Sequence, residues 1–460
     1  MKSDPKPRIM LAATASGSGK TTVTCAVLQA LINRGNRVTA FKCGPDYIDP
    51  MFHSEVIGAN SRNLDLYMMS ENTVKYLLNK NSFSSDISVI EGVMGFYDGV
   101  GGNMENRASA YDLAKVTKTP VILIVDAKGM SDSVAAIIKG FLTYREDSNI
   151  KGVLLNRVHP MSYPAMKQLI ERELHLPVVG YLPYLRECSL ESRHLGLVTA
   201  AEVDQLKEKT ETLAKAAAES IDFDLLEQLA TSAEPFEFEP ISVKKLPAPV
   251  RIAIAKDQAF CFYYRDALDL LEDAGAELVD CSPVSDSALP EDIDGIFLGG
   301  GYPEVYADEL SSNKSFLADL NQKINNGLPC YAECGGFMYL HERMQDENGN
   351  AYPMAGIIQG ESFRTDHLVR FGYIELTASH DSLTAQKGER IRAHEFHYWD
   401  STNSGDAFTA KRATGSKEWD CIVSTDTLHA GYPHVHFYSN PQFAYRFLER
   451  CLAYRSTETK

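Results

Sequence analysis

Thr14-Ala15-Ser16-Gly17-Ser18-Gly19-Lys20-Thr21-Thr22 decides how the first half of this chain folds and what it holds. The apolar run Arg8 to Ala13 leads into it, and Val23 to Gly35 (VTCAVLQALINRG) follows with helical spacing. A glycine-rich turn between a strand and a helix lets backbone N–H groups face phosphate oxygens, and the helix N-terminus adds its positive dipole end. Gly17 and Gly19 supply the turn, Lys20 neutralises phosphate charge, and Thr21 offers a hydroxyl to Mg²⁺, with Thr22 beside it. Thr14 stands where the GxxxxGK[ST] pattern has its first glycine. The motif and its setting predict a nucleoside triphosphate site.

Around this loop, short β-branched runs alternate with helical stretches: Arg37 to Lys42, Ile87 to Gly92, Pro120 to Asp126, Gly152 to Val158 and Val178 to Leu182. Runs that are apolar on both faces and separated by crossover lengths read as a parallel sheet covered by helices, an α/β domain. Magnesium takes hard oxygen ligands, so acids at neighbouring strand ends should face the loop. Asp46, in FKCGPDYIDP (41–50), and Glu91, in VIEGVMGFYDG (89–99), are the metal candidates.

Residues 201–232 are rich in helix formers, and 233–249 carry four prolines with little periodicity. A second strand pattern then begins: Val250 to Ala255, Glu277 to Asp280, Gly295 to Leu298 and Leu328 to Ala332. The expected organisation is a P-loop domain over 1–200, a helix and linker over 201–249, and a second α/β domain over 250–460.

Composition limits the partners. The 62 acidic residues exceed the 45 lysines and arginines, giving a formal charge of −17 that disfavours binding to nucleic-acid backbones or anionic membranes. With 44% hydrophobic and 23% charged residues, the 460-residue chain reads as globular, not disordered. Apolar runs such as Val121 to Val125 fall far short of the roughly 20 residues a membrane span needs. The N-terminal stretch lacks the apolar core of a secretory leader, so a cytoplasmic location is expected. Nine cysteines, an odd number with no CxxC pair, argue against a disulfide framework or a zinc knuckle. The sequence sets no oligomeric state.

In the second domain, Leu328 to Leu340 (LPCYAECGGFMYL) is a short strand, a tight turn and a helix. Such a turn holds a nucleophile at its tip, here Cys334, with the Gly335 N–H aimed at a developing oxyanion. The loop Gly299-Gly300-Gly301 ends another strand, and Gly301 is the candidate second donor. Far downstream, His434-Val435-His436 offers the base that a cysteine nucleophile requires.

Together SGSGKTT, FKCGPDYIDP, VIEGVMGFYDG, SRHLGL, LGGGYPE, YAECGGFMYL and HEFHYW resemble the cobyrinic acid a,c-diamide synthases across essentially the whole chain. The resemblance implies an ATP- and Mg²⁺-dependent amide synthetase joined to a class I glutaminase. Glutamine, or free ammonia, would supply nitrogen to side-chain carboxylates of a corrinoid, activated as acyl phosphates. The first domain also looks like dethiobiotin synthetase. Carried over position by position, this implies Lys20 on phosphate, Thr21, Asp46 and Glu91 around Mg²⁺, and Asn156 as the adenine reader. Asp49 and Asp98 would stand near the reacting carboxylate.

Class I glutaminases carry His-x-Glu, and Tyr432-Pro433-His434 aligns before the usual base, so the resemblance selects His434. His436 occupies the place of the orienting glutamate, and only as a neutral acceptor could it take that role. Arg107, Arg193 and His194 are open to pairing with substrate carboxylates. His394 and His397 have metal-like spacing, but with no acid or cysteine cluster beside them core or interdomain packing is expected. Rival acceptors are hydrogenobyrinate, nickel sirohydrochlorin and later cobyrate amidation sites. A P-loop switch ATPase is a rival of another class, but Ala15 stands where such proteins carry a signature lysine.

Overall fold

The computed structural model describes residues 1–3, 6–101, 108–185, 188 and 200–458; Arg107, Arg193 and His194 lie outside them. The chain divides into two compact units, Met1–Ile241 and Ser242–Lys460.

The first unit is built on β1 (Arg8–Ala13), β2 (Val38–Cys43), β3 (Asn60–Leu64), β4 (Ile87–Gly95), β5 (Val121–Asp126), β6 (Ile150–Asn156) and β7 (Val178–Leu182). All neighbouring pairs are parallel, in the order β3-β2-β4-β1-β5-β6-β7. β1 and β2 are buried at every position, as strands covered on both faces must be. The chain leaves β1 toward β2 and β3 on one side, then crosses after β4 to β5 on the other. That reversal opens a crevice at the carboxyl ends of β1, β2 and β4, where an α/β sheet binds its ligands.

β3 was not legible in advance. Asn60-Ser61-Arg62-Asn63-Leu64 is a polar edge strand without an apolar run, and its pairing with β2 creates it. The helices Ala200–Ser220 and Phe223–Thr231, expected in the joining segment, belong to the first unit. Leu206, Leu213, Ala217, Phe223 and Leu226 are buried in its core.

The second unit carries a six-stranded sheet in the order Ala276–Cys281, Val250–Ala255, Gly295–Leu298, Cys330–Glu333, Leu428–Gly431 and Val423–Ser424, the last pair antiparallel. The segment between the cysteine turn and the distal histidines supplies most strands of two further sheets. In one, Arg370–Ala378 pairs with Arg390–His397, which in turn pairs with His434–Val435. No helix among the described residues is long and apolar enough to cross a membrane.

Candidate active sites

In the first unit, the phosphate loop turns through Gly17 at φ 78° and Gly19 at φ 81°, left-handed values that favour glycine. Gly19 caps helix α1 (Lys20–Asn33), which presents Lys20, Thr21 and Thr22 in its first turn. A side chain at Gly19 would collide with Asn156, whose Nδ2 donates to Ser18 O at 2.8 Å. Asn156, expected to read adenine, thus holds the loop backbone here. Arg157, which sequence reasoning passed over, donates to Gly17 O.

Thr21, Asp46, Asp49 and Glu91 converge around a cation that the sequence reading did not assign. Lys42, at the end of β2, donates to Asp49 Oδ2 and to Glu91 Oε1 at 2.9 Å, and lies 3.7 Å from Asp46 Oδ2. Thr21 Oγ1 also donates to Glu91 Oε1, at 2.8 Å. The buried His53 adds Nε2 at 3.3 Å from Glu91 Oε2. Asp46 Oδ1 accepts from Asp49 N at 3.0 Å, and Asn63 of β3 donates to the carbonyls of Gly44 and Asp46. The polar edge strand therefore shapes the acidic loop.

Like charges this close persist only around a counter-ion. Burial opposes the Lys42 charge, but Glu91, Asp49 and Asp46 hold its pKa well above the ordinary lysine value. Burial would likewise raise Glu91, yet Lys42 and His53 keep it well below the carboxylate range. Asp49 is pushed up by burial and by Glu91. Lys20 is lowered by burial and by Lys42, and its Nζ donates to Met94 O at 3.0 Å, tying the loop to the end of β4. Asp98 is exposed and closes the turn after β4, its Oδ2 accepting from Gly95 N at 3.0 Å.

These donors fit Mg²⁺, which takes one or two carboxylates and keeps the rest of its shell for phosphate and water. Thr21, Asp46 and Glu91 are the hard-oxygen groups available. Among the described residues no three His, Cys, Asp or Glu side chains form a self-sufficient metal cage.

In the second unit, Cys334 follows the strand Cys330–Glu333 and caps the helix Gly335–Leu340 with φ 48° and ψ −102°. A non-glycine residue there is strained, as at other nucleophile-bearing turns. Cys334 N donates to Gly431 O at 2.7 Å, and Gly336 N to Gly299 O at 2.9 Å. Gly336 must be glycine: a Cβ would fall 2.3 Å from Leu298 O. Gly301 N lies 3.1 Å from where a Gly335 Cβ would stand, so both expected oxyanion donors border the turn.

His434 is buried and hydrogen-bonded to Cys334. Its Nδ1 lies 3.5 Å from Glu333 Oε2. Burial disfavours its charge, but Cys334 and then Glu333 raise it to about 10. His434 is thus an imidazolium at neutral pH.

His436, in the place of the orienting glutamate, takes other partners. The strand ends at Val435, and His436 caps the short turn Phe437–Ser439, its Nδ1 accepting from Tyr438 N at 3.3 Å. Its ring lies 4.9 Å from that of Tyr264, and burial pushes it down to about 3. His436→Ala should therefore lower the melting temperature while glutamine hydrolysis stays within about tenfold of wild type, since no general base is lost. Thermal melts beside a glutaminase assay check this. His397 packs as expected, its ring stacked on Tyr432 at 3.9 Å.

Comparison with known proteins finds a matching domain family in each unit. Residues 9–198 match the CobQ/CobB/MinD/ParA nucleotide binding domain, and residues 251–442 the CobB/CobQ-like glutamine amidotransferase domain. The cobyrinate a,c-diamide synthase of Caldanaerobacter subterraneus subsp. tengcongensis is 40% identical over 97% of this chain and 98% of its own length. That of Listeria innocua serovar 6a is 41% identical over 94% of this chain and 97% of its own, and that of Thermoplasma volcanium 41% over 97% and 98%. With a phosphate loop and acids in one unit, a cysteine–histidine turn in the other, and this similarity along its whole length, the chain belongs to the cobyrinate a,c-diamide synthase family.

Proposed function

We propose that this protein amidates the a and c side-chain carboxylates of cobyrinic acid in cobalamin biosynthesis, using ATP and glutamine-derived ammonia. The observation that carries the reading is the presence on one chain of the phosphate loop with its Thr21–Glu91 contact and the Cys334–His434 pair. The acceptor comes from the relatives, whose names specify cobyrinate.

A carboxylate is a poor electrophile, so amide formation needs a leaving group on its carbon. A substrate carboxylate oxygen attacks the γ-phosphorus of ATP, and ADP departs. Ammonia then adds to the acyl phosphate carbon, and phosphate leaves. Lys20 and the loop amides offset charge on the transferring group. Mg²⁺, held by Thr21, Asp46 and Glu91, would neutralise further phosphate charge. In this reading Asp49 and Asp98, which follow β2 and β4, are the acids assigned to the acceptor side, and Asn156 steadies the phosphate loop through Ser18 O.

In the glutaminase, the Cys334 sulfur attacks the amide carbon of glutamine, with the oxyanion held by the Gly335 and Gly301 N–H groups. His434 gives its proton to the departing ammonia. Water then attacks the thioester and passes a proton to His434, which releases glutamate and restores the imidazolium. The same reading takes the enzyme as cytoplasmic.

An ATP- and glutamine-dependent assay across cobyrinate, hydrogenobyrinate and nickel sirohydrochlorin, scored by mass change per amide, tests the acceptor. Two successive amidations of cobyrinate are expected. Preferential turnover of another tetrapyrrole would reassign the substrate.

A further inference from the structure

Class I glutaminases place the carboxylate that orients the base two residues after it, where this chain has His436. His436 is neutral, packed on Tyr264, and spends its Nδ1 on a backbone amide. Something else must hold the His434 imidazole, because a base needs a defined tautomer and ring orientation.

We propose that Glu333, the residue immediately before the nucleophile, is the positioning carboxylate of this glutaminase; the inference rests on the glutaminase reading of Cys334. Glu333 ends the strand Cys330–Glu333, whose parallel neighbour Leu428–Gly431 pairs Glu333 with Gly431. From Gly431 the chain turns through Tyr432 and Pro433 and returns at His434. Two adjacent strand ends thus bring together residues about a hundred positions apart, and Glu333 Oε2 comes to 3.5 Å from His434 Nδ1. The opposite oxygen is anchored: Oε1 accepts from Tyr331 OH at 2.8 Å and from Val435 N at 3.1 Å. A carboxylate held by a tyrosine hydroxyl and by the amide next to the histidine can aim its free oxygen at one ring nitrogen only. The other edge of the ring is then left for the Cys334 sulfur.

Other charged or titratable groups reach the same imidazole. Glu395 and His397, on the neighbouring strand Arg390–His397, both interact with His434, and Arg370 acts on both of them. Burial raises Glu395 to about 7 and lowers His397 to about 4, so neither matches Glu333 as a standing counter-charge.

Glu333→Gln separates orientation from architecture. Its carbonyl oxygen can still accept from Tyr331 and Val435, but its amide N–H₂ would face Nδ1 and favour the wrong tautomer. Glutamine hydrolysis should fall on the order of 10²-fold in kcat. The alkaline limb of the pH profile should move down, because His434, raised by Cys334 and then by Glu333, loses the second of these two partners. Ammonia-dependent synthesis serves as the control for folding. Glu333→Asp, which keeps the charge at shorter reach, should recover part of the rate and return the alkaline limb toward the parent's.

A Glu333→Gln enzyme with parental kcat and an unmoved alkaline limb overturns the proposal while leaving Cys334 as nucleophile. If Glu333→Gln does not fold, Glu333→Asp decides alone: parental kcat with an unmoved alkaline limb overturns the proposal, and a reduced kcat with the limb partly lowered supports it. Glutamine-dependent synthesis surviving in Cys334→Ser would instead overturn the glutaminase reading on which the proposal stands.

Discussion

Cys334→Ser should abolish glutamine-dependent amidation while ammonia-dependent amidation continues. The substitution exchanges one sulfur for oxygen on a turn that keeps its backbone, including the Cys334 N bond to Gly431 O at 2.7 Å. What it removes is the sulfur nucleophile beside His434, since a hydroxyl gives up its proton far less readily than a thiol. Loss of the attacking group in enzymes of this kind costs on the order of 10⁴-fold or more in kcat. Free ammonia enters after this step, so the synthetase has no need of it. Initial rates with glutamine and with ammonium salts, measured on the same preparation, check the split. Loss of both activities in a folded variant would make Cys334 structural.

Lys20→Ala should abolish amidation with either nitrogen source, along with acceptor-dependent ATP hydrolysis. Phosphoryl transfer spreads charge over the γ-phosphate oxygens, and a loop lysine offsets it; losing one such donor typically costs about 10²- to 10³-fold. The neighbouring Lys42 cannot substitute. Its ammonium is held by Asp49 and Glu91 and lies 3.7 Å from Asp46, and moving it would leave those acids without a counter-ion. Phosphate release measured with and without the tetrapyrrole checks this, and synthesis retained with ammonia would overturn the phosphate-loop assignment. The two variants part cleanly: one loses a nitrogen source, the other loses carboxylate activation.

The sequence by itself determined what local signals can carry. The strand-loop-helix around Lys20, the two α/β patterns on either side of residues 233–249, and the strand-turn-helix around Cys334 each lie within a short stretch whose glycines and apolar spacing leave few alternatives. Arg8–Ala13, Val178–Leu182, Val250–Ala255 and Gly295–Leu298 form strands with the very limits read from their apolar runs. Only the tertiary structure decided which residues share a site. Lys42 carries no mark in FKCGPDYIDP that sets it apart from a surface lysine; its role follows from β2 lying beside β4, which brings Glu91 to it. Asn60–Leu64 is a strand because β2 offers it an edge. Glu333 and His436 show the same limit from both sides. Spacing left His436 open as a neutral acceptor, but the strand ends at Val435, and the pairing of two parallel strands brings the carboxylate from 101 positions upstream to within 3.5 Å of the imidazole. A side chain's neighbours along the chain are set by covalent geometry, whereas its partners across strands depend on sheet order and register, which no local pattern contains.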